Sequence, residues 1–241
     1  MDLLPVFMNL HDQLCLVTGG SQFAFQKIQL LLKTGAKIHL HSHDKLCNEV
    51  EVLLQQNLIN LIQENLEDLD LRNYKLIIAT YDDFESNQSI AALAQKNNTP
   101  INVVDQPELC SFLVPSIVDR SPLIVAVSSC GKSPTFSRFI RNKISDFLPE
   151  SYGPLAAMLG EFRNRMKPFL LTYEAKKEFW LRMIFSSPVV ELFISGEKDS
   201  ARIILEKEVE QYSKHNKVLS EQVDCQHDLY LLDKLNLSYQ R

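Results

Sequence analysis

A glycine turn near the start of the chain has residues spaced for binding an anion. The apolar run Leu14–Thr18 leads into Gly19-Gly20, and a helical pattern follows at once. Free N–H groups and the positive dipole end at a helix N-terminus bind phosphate groups. Ser21 occupies the middle glycine position of a GxGxxG motif. The pattern predicts a dinucleotide site whose phosphate contacts come from six consecutive residues: Gly19, Gly20, Ser21, Gln22, Phe23 and Ala24.

Polar residues that follow two further strand-like runs are candidates for contacts with the rest of the same ligand. Asp44 comes after the second run, where an acid recognises a ribose hydroxyl, and its alternative role is to cap the next helix. Thr80 and Asp82 follow the fourth run, whose carboxyl end faces the same crevice. There the alternative is capping of the following helix by Asp82 or Asp83.

Asp105 ends the fifth strand-like run, Asn102 to Asp105, at the same edge of the predicted sheet. A carboxylate at this point faces the crevice, and we expect it to be partly desolvated. Such a group can act as a general base with a raised pKa. The alternative is a solvated aspartate in a turn.

A glycine-bearing loop followed by cations is the third candidate site. It suits a substrate with many carboxylates, because hydroxyls, backbone N–H groups and cations all bind them. The cations can equally form a solvated helix face. Cys130 lies in this loop, where a packed small residue and a nucleophile are the two alternatives. The predicted substrate contacts are Ser128, Ser129, Gly131, Lys132, Ser133 and Arg138.

The order of segments predicts an α/β fold class with a Rossmann-like parallel sheet domain. Strands are predicted at 14–18, 37–41, 59–62, 75–80 and 100–104. Helices between them are predicted at 22–34, 44–56 and 85–96. Two extended strands at 111–116 and 123–128 precede a helix at 134–147. Helical periodicity then runs over 152–214, with breaks near 187 and 195.

The composition indicates which partners and which cellular location to expect. The formal net charge of −5 gives no general reason to expect nucleic-acid binding. The five cysteines are scattered without a CxxC pair, which favours reduced thiols and a cytoplasmic location. We expect no membrane segment, since no apolar run reaches spanning length. His39, His41 and His43 alternate, so they would share one face if they formed a strand. The two alternatives are a metal site and a strand edge in solvent, and we assign no metal ligands.

Several segments match one known family in the same order along residues 1 to about 150. The match includes Lys27, Asn87 and the turn before Ser133-Pro134. With these segments the chain resembles the N-terminal module of siroheme synthase, which is a precorrin-2 dehydrogenase and sirohydrochlorin ferrochelatase. The segments that carry the resemblance are Leu4-Pro5-Val6-Phe7, Val17-Thr18-Gly19-Gly20, Ala79-Thr80-Tyr81-Asp82-Asp83, Asn102-Val103-Val104-Asp105, Asp119-Arg120-Ser121-Pro122-Leu123 and Val125-Ala126-Val127-Ser128-Ser129.

The resemblance implies NAD-dependent removal of two hydrogens from precorrin-2, then insertion of Fe²⁺, as substrate metal, into sirohydrochlorin. It implies that Asp105 is the catalytic base of both reactions and that Ser128 or Ser129 is the serine of the substrate loop. It also implies a homodimer. Because the chain ends at Arg241 without the glycine-rich start of a methyltransferase domain, we expect no methylation activity.

The predicted domains are an NAD-binding domain at 1–113, a dimerisation region at 114–149, a helical domain at 150–217 and a tail at 218–241. Two departures from the family pattern lie at the glycine turn, where Ser21 replaces a glycine and Gln26 replaces an arginine. Ser21 adds a side chain where the backbone must approach closely, although its hydroxyl can bond a phosphate oxygen. The alternative function is therefore a chelatase alone, or a non-catalytic tetrapyrrole- or nucleotide-binding homologue.

Overall fold

Short apolar runs alternate with helices between residues 14 and 103, and the runs form a parallel sheet. The structure is a computed structural model that describes residues 2–215. The strands lie in the order β3-β2-β1-β4-β5, with every neighbouring pair parallel. The topological switch point therefore lies between β1 and β4, as the α/β prediction requires. The strands are β1 (Leu14–Thr18), β2 (Lys37–His41), β3 (Asn60–Ile62), β4 (Leu76–Ala79) and β5 (Ile101–Val103).

Helices cover both faces of this sheet, because alternate residues of each strand point to opposite sides. Helices α1 (Gln22–Leu32) and α2 (Asn48–Gln55) bury one face, where Val17 and Leu40 are completely enclosed. Helix α3 (Phe84–Lys96) packs on the other face. The strands thus present only their ends to a ligand, and their carboxyl ends carry the candidate residues.

Helix α2 begins at Asn48, so the prediction that it starts at Asp44 was wrong. The Ser42 hydroxyl accepts a hydrogen bond from the backbone N–H of Asp44 at 3.1 Å and holds a turn there. The N–H of Cys47 then donates to the carbonyl of Gly20 at 2.8 Å. These bonds make residues 42–47 a loop that lies on the glycine turn.

The predicted first strand of the hairpin, Ser111 to Ser116, was also wrong. The backbone N–H of Ile101 donates to Ser111 Oγ, and the N–H of Ser111 donates to the Ile101 carbonyl, both at 2.8 Å. This segment therefore returns onto β5, and strand β6 begins only at Ser116. Strands β6 (Ser116–Arg120) and β7 (Leu123–Val127) form the two-stranded sheet.

Helices form the rest of the described chain. Helix α4 covers the predicted residues, and the predicted breaks near 187 and 195 are confirmed. A further break at 167–172 contains Pro168. A core that includes Phe162, Met183 and Leu205 holds the later helices together. The helices are α4 (Pro134–Phe147), α5 (Tyr152–Met166), α6 (Tyr173–Leu181) with a π-helical turn at Arg182–Ser186, α7 (Val189–Ile194) and α8, described over 198–215.

The chain divides into two compact units. Among the described residues, one unit contains 2–116 together with Val127–Arg138, and the other contains Ile117–Ala126 and 139–215. The predicted domain boundaries stay a prediction, and the predicted tail at 218–241 lies outside the described residues. Among residues 2–215, no helix is long and apolar enough to cross a membrane.

Candidate active site

The glycine turn follows β1 and lies against residues at the carboxyl ends of β2 and β4. Gly19 has a φ of +92°, and a Cβ there would lie 2.6 Å from Thr80 Oγ1 and 2.8 Å from the Thr80 carbonyl oxygen. Its N–H donates to the carbonyl of His41 at 2.9 Å. A Cβ on Gly20 would lie 2.7 Å from a methyl group of Leu46. Gly19 is therefore required by the packing at the carboxyl ends of β1, β2 and β4, whereas the shortest contact of a Cβ on Gly20 is with the movable end of a side chain.

Ser21 stands at the N-cap of α1 but does not cap the helix. Its Oγ is buried and has no hydrogen-bond partner within the part of the chain that the structure describes. The first turn of the helix also has N–H groups without helical acceptors. Gln22 and Phe23 are exposed in that turn, and Ala24 is fully buried. A phosphate can satisfy both the hydroxyl and these N–H groups, so the turn fits the predicted anion.

The acids after β4 have separate roles. The Asp83 carboxylate accepts the N–H of Ser86 at 2.7 Å, which caps α3 and lowers the pKa of Asp83. Asp82 is exposed at the sheet edge. The hydroxyl of Thr80 is buried and donates to the Thr18 carbonyl at 2.7 Å, so it braces the turn. Of the predicted coenzyme contacts after β4, Asp82 is the accessible one.

Asp44 does not cap α2, whose N-cap position is Cys47. The helix-cap alternative for Asp44 was therefore wrong. Burial raises the pKa of the Tyr81 phenol, and the carboxylates of Asp44 and Asp83 raise it further. The Asp44 carboxylate thus lies within electrostatic reach of a residue that follows β4.

Asp105 lies in the turn after β5 with a φ of +60°. It is exposed, so the expected partial desolvation is not present in the described chain. The strand ends at Val103, and the turn carries the carboxylate beyond the buried part of the sheet. Lys27 of α1 lies within electrostatic reach: burial lowers the pKa of Lys27, and the charge of Asp105 opposes that change. Residue types alone did not single out Lys27, which entered only through the family pattern.

The thiol of Cys110 fixes the turn that carries Asp105. Its Sγ accepts the N–H of Val103 at 3.1 Å and lies 3.3 Å from the carbonyl oxygens of Val103 and Gln106. Burial raises the pKa of Cys110, which keeps the thiol protonated. The turn is therefore held from inside, while the Asp105 carboxylate faces outward.

The loop of predicted substrate contacts lies against the Asp105 segment. A Cβ on Gly131 would lie 3.7 Å from Leu113 and 3.8 Å from Pro107, which is two residues beyond Asp105. Inside the loop, Ser129 Oγ accepts the N–H of Ser133 at 2.8 Å. The predicted base and the predicted substrate loop thus share one side of the sheet's carboxyl edge.

The hydroxyls and cations of this loop are accessible. Ser128 Oγ accepts the N–H of Cys130 at 3.0 Å and is exposed. Lys132 Nζ lies 3.4 Å from an exposed carboxylate oxygen of Asp2. Arg138 is exposed in the first part of α4, and Ser133 Oγ lies 3.4 Å from the N–H of Phe136 near the helix start. The substrate-binding and solvated-face interpretations of Arg138 both fit this placement.

Sequence reasoning missed a cluster of His41, His43 and Tyr81. His41 Nδ1 and the Tyr81 hydroxyl are 2.6 Å apart, and the His43 ring stacks parallel to Tyr81 with centroids 5.0 Å apart. Burial and the neighbouring His43 lower the pKa of His41, so its imidazole is neutral at neutral pH. The alternating histidines were a usable signal, but Tyr81 is 38 positions further along the chain than His43. No group of three or more potential metal ligands exists among the described residues.

Comparison with known proteins places the chain. A family model described as putative NAD(P)-binding matches residues 6–116, and one described as the sirohaem synthase dimerisation region matches residues 151–209. The siroheme synthase of Thioalkalivibrio sulfidiphilus is 42% identical over 210 residues, which are 87% of this chain. That of Nitrosospira multiformis is 40% identical over 214 residues, also 87% of this chain. The chain is a homologue of siroheme synthases over most of its length.

This homologue spans less than half the length of those relatives, 42% and 45% respectively. Its fold is also that of a solved structure of SirC, a precorrin-2 dehydrogenase. The two share 21% sequence identity with a TM-score of 0.67, covering 87% of this chain and 100% of SirC. The predicted resemblance to siroheme synthase and the predicted Rossmann-like architecture are thus confirmed.

Cys130 of this siroheme synthase homologue is strained, because it has a φ of +53° without being glycine, asparagine or aspartate. We expect Cys130→Gly to raise the free energy of unfolding by about 0.5–1 kcal/mol, as relief of strain exceeds the entropy cost of glycine. Urea denaturation measures the change. Cys130→Ala is the control, since it removes the thiol and keeps the strain; equal stabilisation by both would contradict the explanation.

Proposed function

We propose that this chain oxidises precorrin-2 to sirohydrochlorin with NAD and then inserts Fe²⁺ into sirohydrochlorin to give siroheme. The observation that carries the proposal is the placement of Asp105. Pro107 and Leu113, which follow it in the chain, lie close to Gly131 of the loop of serines and cations, at the sheet edge that also bears the glycine turn. The names of the relatives support the tetrapyrrole class of substrate.

The residues of the glycine turn are suited to hold the NAD pyrophosphate. Gly19 and Gly20 keep side chains away from it, and the unpartnered Ser21 hydroxyl offers a donor. Asp44 is placed to accept a ribose hydroxyl, and Asp82 lies on the side of the switch point where β4 ends. When bound, NAD supplies the acceptor for a hydride.

Asp105 supplies the base in the proposed oxidation. Removing two hydrogens from precorrin-2 takes away a hydride and a proton, and the Asp105 carboxylate receives the proton. The Cys110 thiol contacts the backbone of this turn on both sides of Asp105, which helps to position the carboxylate for the reaction. Lys27 lies within electrostatic reach of this carboxylate.

Cations and hydroxyls of the substrate loop orient the tetrapyrrole. Lys132 and Arg138 pair with peripheral carboxylates, and Ser128 is accessible for a further hydrogen bond. These contacts leave the macrocycle facing the Asp105 side of the loop. The exposed positions of the cations agree with a large, highly charged ligand rather than a small buried one.

Insertion of Fe²⁺ into sirohydrochlorin displaces two N–H protons, and Asp105 is the group placed to accept them. Fe²⁺ is a substrate here, and the pyrrole nitrogens supply its ligands. We also propose a homodimer, supported by the match of residues 151–209 to a dimerisation region. A cytoplasmic location is proposed from the scattered cysteines, four of which are free thiols in the described chain.

The direct test is turnover of precorrin-2 with NAD by the purified chain, followed by addition of Fe²⁺. We expect NADH to appear in step with sirohydrochlorin, and siroheme after iron is added. Siroheme formation from sirohydrochlorin without any NADH from precorrin-2 would leave a chelatase alone. Binding of sirohydrochlorin with neither product would leave a non-catalytic tetrapyrrole-binding protein.

We expect Ser21→Ala to weaken NAD binding about tenfold, because a hydrogen bond from the hydroxyl to a charged phosphate is lost. Titration calorimetry with NAD measures the dissociation constant. Ser21→Gly is the informative companion, since it removes both the hydroxyl and the Cβ. Tighter binding by Ser21→Gly than by the unchanged chain would show that Ser21 obstructs the phosphate rather than bonding it.

A further inference from the structure

The cluster of His41, His43 and Tyr81 connects two strand ends that are not neighbours. His41 is the last residue of β2, and Tyr81 follows the end of β4, while β1 lies between these strands in the sheet. A contact between the two residues must therefore pass over the carboxyl end of β1. That end leads directly into the glycine turn.

The phenol of Tyr81 is packed against the turn itself. Tyr81 is only 5% exposed, and its hydroxyl lies 3.4 Å from the carbonyl oxygen of His41. That carbonyl accepts the N–H of Gly19. The buried Tyr81 ring thus lies beside the first residue of the turn.

The His43 imidazole stacks on the Tyr81 ring. Its ring is tilted by only 6° from the plane of Tyr81, and it meets His41 edge-on with centroids 4.9 Å apart. His43 is itself exposed, so one face of the imidazole lies on the phenol and the rest meets solvent. The covering group is therefore held by a stacking contact on a loop, the segment 42–47, rather than by the core.

A ligand in a doubly wound sheet occupies the crevice outside the carboxyl ends of the strands, at the switch point. A dinucleotide whose pyrophosphate lies on Gly19 and Gly20 must extend one nucleoside toward the end of β2. Asp44, the proposed acceptor of a hydrogen bond from the ribose, follows that strand. Such a nucleoside enters the space between the ends of β2 and β4 that the His43 imidazole covers. The His43 imidazole therefore lies where this geometry would put a ring of the ligand.

We propose that His43 gates the coenzyme crevice, and that the adenosine half of NAD displaces the imidazole from Tyr81 and takes its place on the phenol ring. The gate rests on the proposed function, because it presumes a dinucleotide coenzyme. A closed state that must open first lowers the apparent affinity by the fraction of open molecules. An aromatic stack of ordinary strength makes this reduction about 3- to 10-fold.

The test is calorimetric titration of the full chain and its variants with NAD. We expect His43→Ala to bind NAD about 3- to 10-fold more tightly than the unchanged chain. His43→Phe keeps a stacking ring and should restore the weaker binding. His39→Ala is the matched control: His39 Nδ1 lies 2.9 Å from the Tyr74 hydroxyl in a similar pair, two residues before the end of β2. Its dissociation constant should stay within about twofold.

Two further probes locate the effect. ADP-ribose contains the adenosine half and should gain the same affinity in His43→Ala, whereas nicotinamide mononucleotide should gain none. In NMR spectra, the imidazole signals of His43 should lose their ring-current shift from Tyr81 when NAD is added. A His43→Ala dissociation constant that is unchanged or larger would overturn the gate.

The outcomes separate the gate from the proposed function. Turnover of precorrin-2 by the unchanged chain, with unaltered NAD binding in a folded His43→Ala variant, would reject the gate and keep the function. Tighter binding in His43→Ala without turnover by any variant would keep the gate and reject the function. Absence of NAD binding in every variant would reject both.

Discussion

Asp105→Asn is expected to lower the rate of precorrin-2 oxidation by at least about 100-fold, the usual contribution of a general base. Asparagine tolerates the φ of +60° at this position, so the turn should keep its shape while the proton acceptor is lost. The measurement is NADH formation at saturating NAD and precorrin-2. Because Asp105 is proposed to accept protons in both reactions, iron insertion should fall as well.

Asp12→Asn is the matched control for this variant. Asp12 also has a left-handed backbone, with a φ of +58°, but it precedes β1 and lies toward the amino ends of the strands. Its exposed ion pair with Lys37 contributes little to stability. Asp12→Asn should therefore keep full activity. Near-normal oxidation by Asp105→Asn would mean that another group receives the proton.

Gly19→Ala is expected to lower the free energy of unfolding by about 2–4 kcal/mol, the sum of backbone strain and overlap with neighbouring atoms. The added Cβ would lie 2.6 Å from Thr80 Oγ1 and 2.8 Å from the Thr80 carbonyl oxygen. A hydroxyl can rotate away, but a backbone carbonyl in the sheet cannot. Chemical denaturation followed by circular dichroism measures this loss.

Gly131→Ala separates the two contributions. Gly131 also has a positive φ, +80°, but its added Cβ would be 3.7 Å or more from its neighbours, an ordinary contact. It lies in the same compact unit as Gly19. The Gly131 variant should lose only about 1–2 kcal/mol from backbone strain. Equal losses in the two variants would show that the contact with Thr80 is unimportant.

The parallel sheet and helix α4 could be predicted because their signals are local. Central strands such as Leu76–Ala79 are wholly apolar, and this matches their burial on both faces. For α4, Ser133-Pro134 provides a start signal and Pro149 a stop, and the helix lies between them at Pro134–Phe147. These signals need no knowledge of distant residues.

The failed predictions depended on contacts between distant positions. The segment from Ser111 has strand-forming residues, but its hydrogen bonds go to Ile101, so it returns onto β5 before the hairpin begins. The loop at 42–47 is set by Gly20, more than twenty positions earlier. The stack of His43 on Tyr81 likewise depends on the strand order, which brings the ends of β2 and β4 together across β1.

The sequence predicted which strand ends the candidate residues follow, but it did not predict their local environment. Asp105 lies on the expected edge, yet it is exposed where partial burial was expected, since the strand ends two residues before it. Asp83 caps α3, as one alternative predicted, whereas Asp44 does not cap α2, because that helix begins only at Asn48. Such assignments depend on differences of one residue in an element's boundary.

The hydrogen bonds between Ile101 and Ser111 also cover the β5 edge of the five-stranded sheet. An open edge strand offers unpaired N–H and C=O groups to the edges of other protein molecules and invites aggregation. Here the same short segment positions the Asp105 turn and covers β5. A substitution that loosens this segment is therefore expected to lower the solubility of the chain as well as the rate of the proposed reaction, because one set of hydrogen bonds serves both.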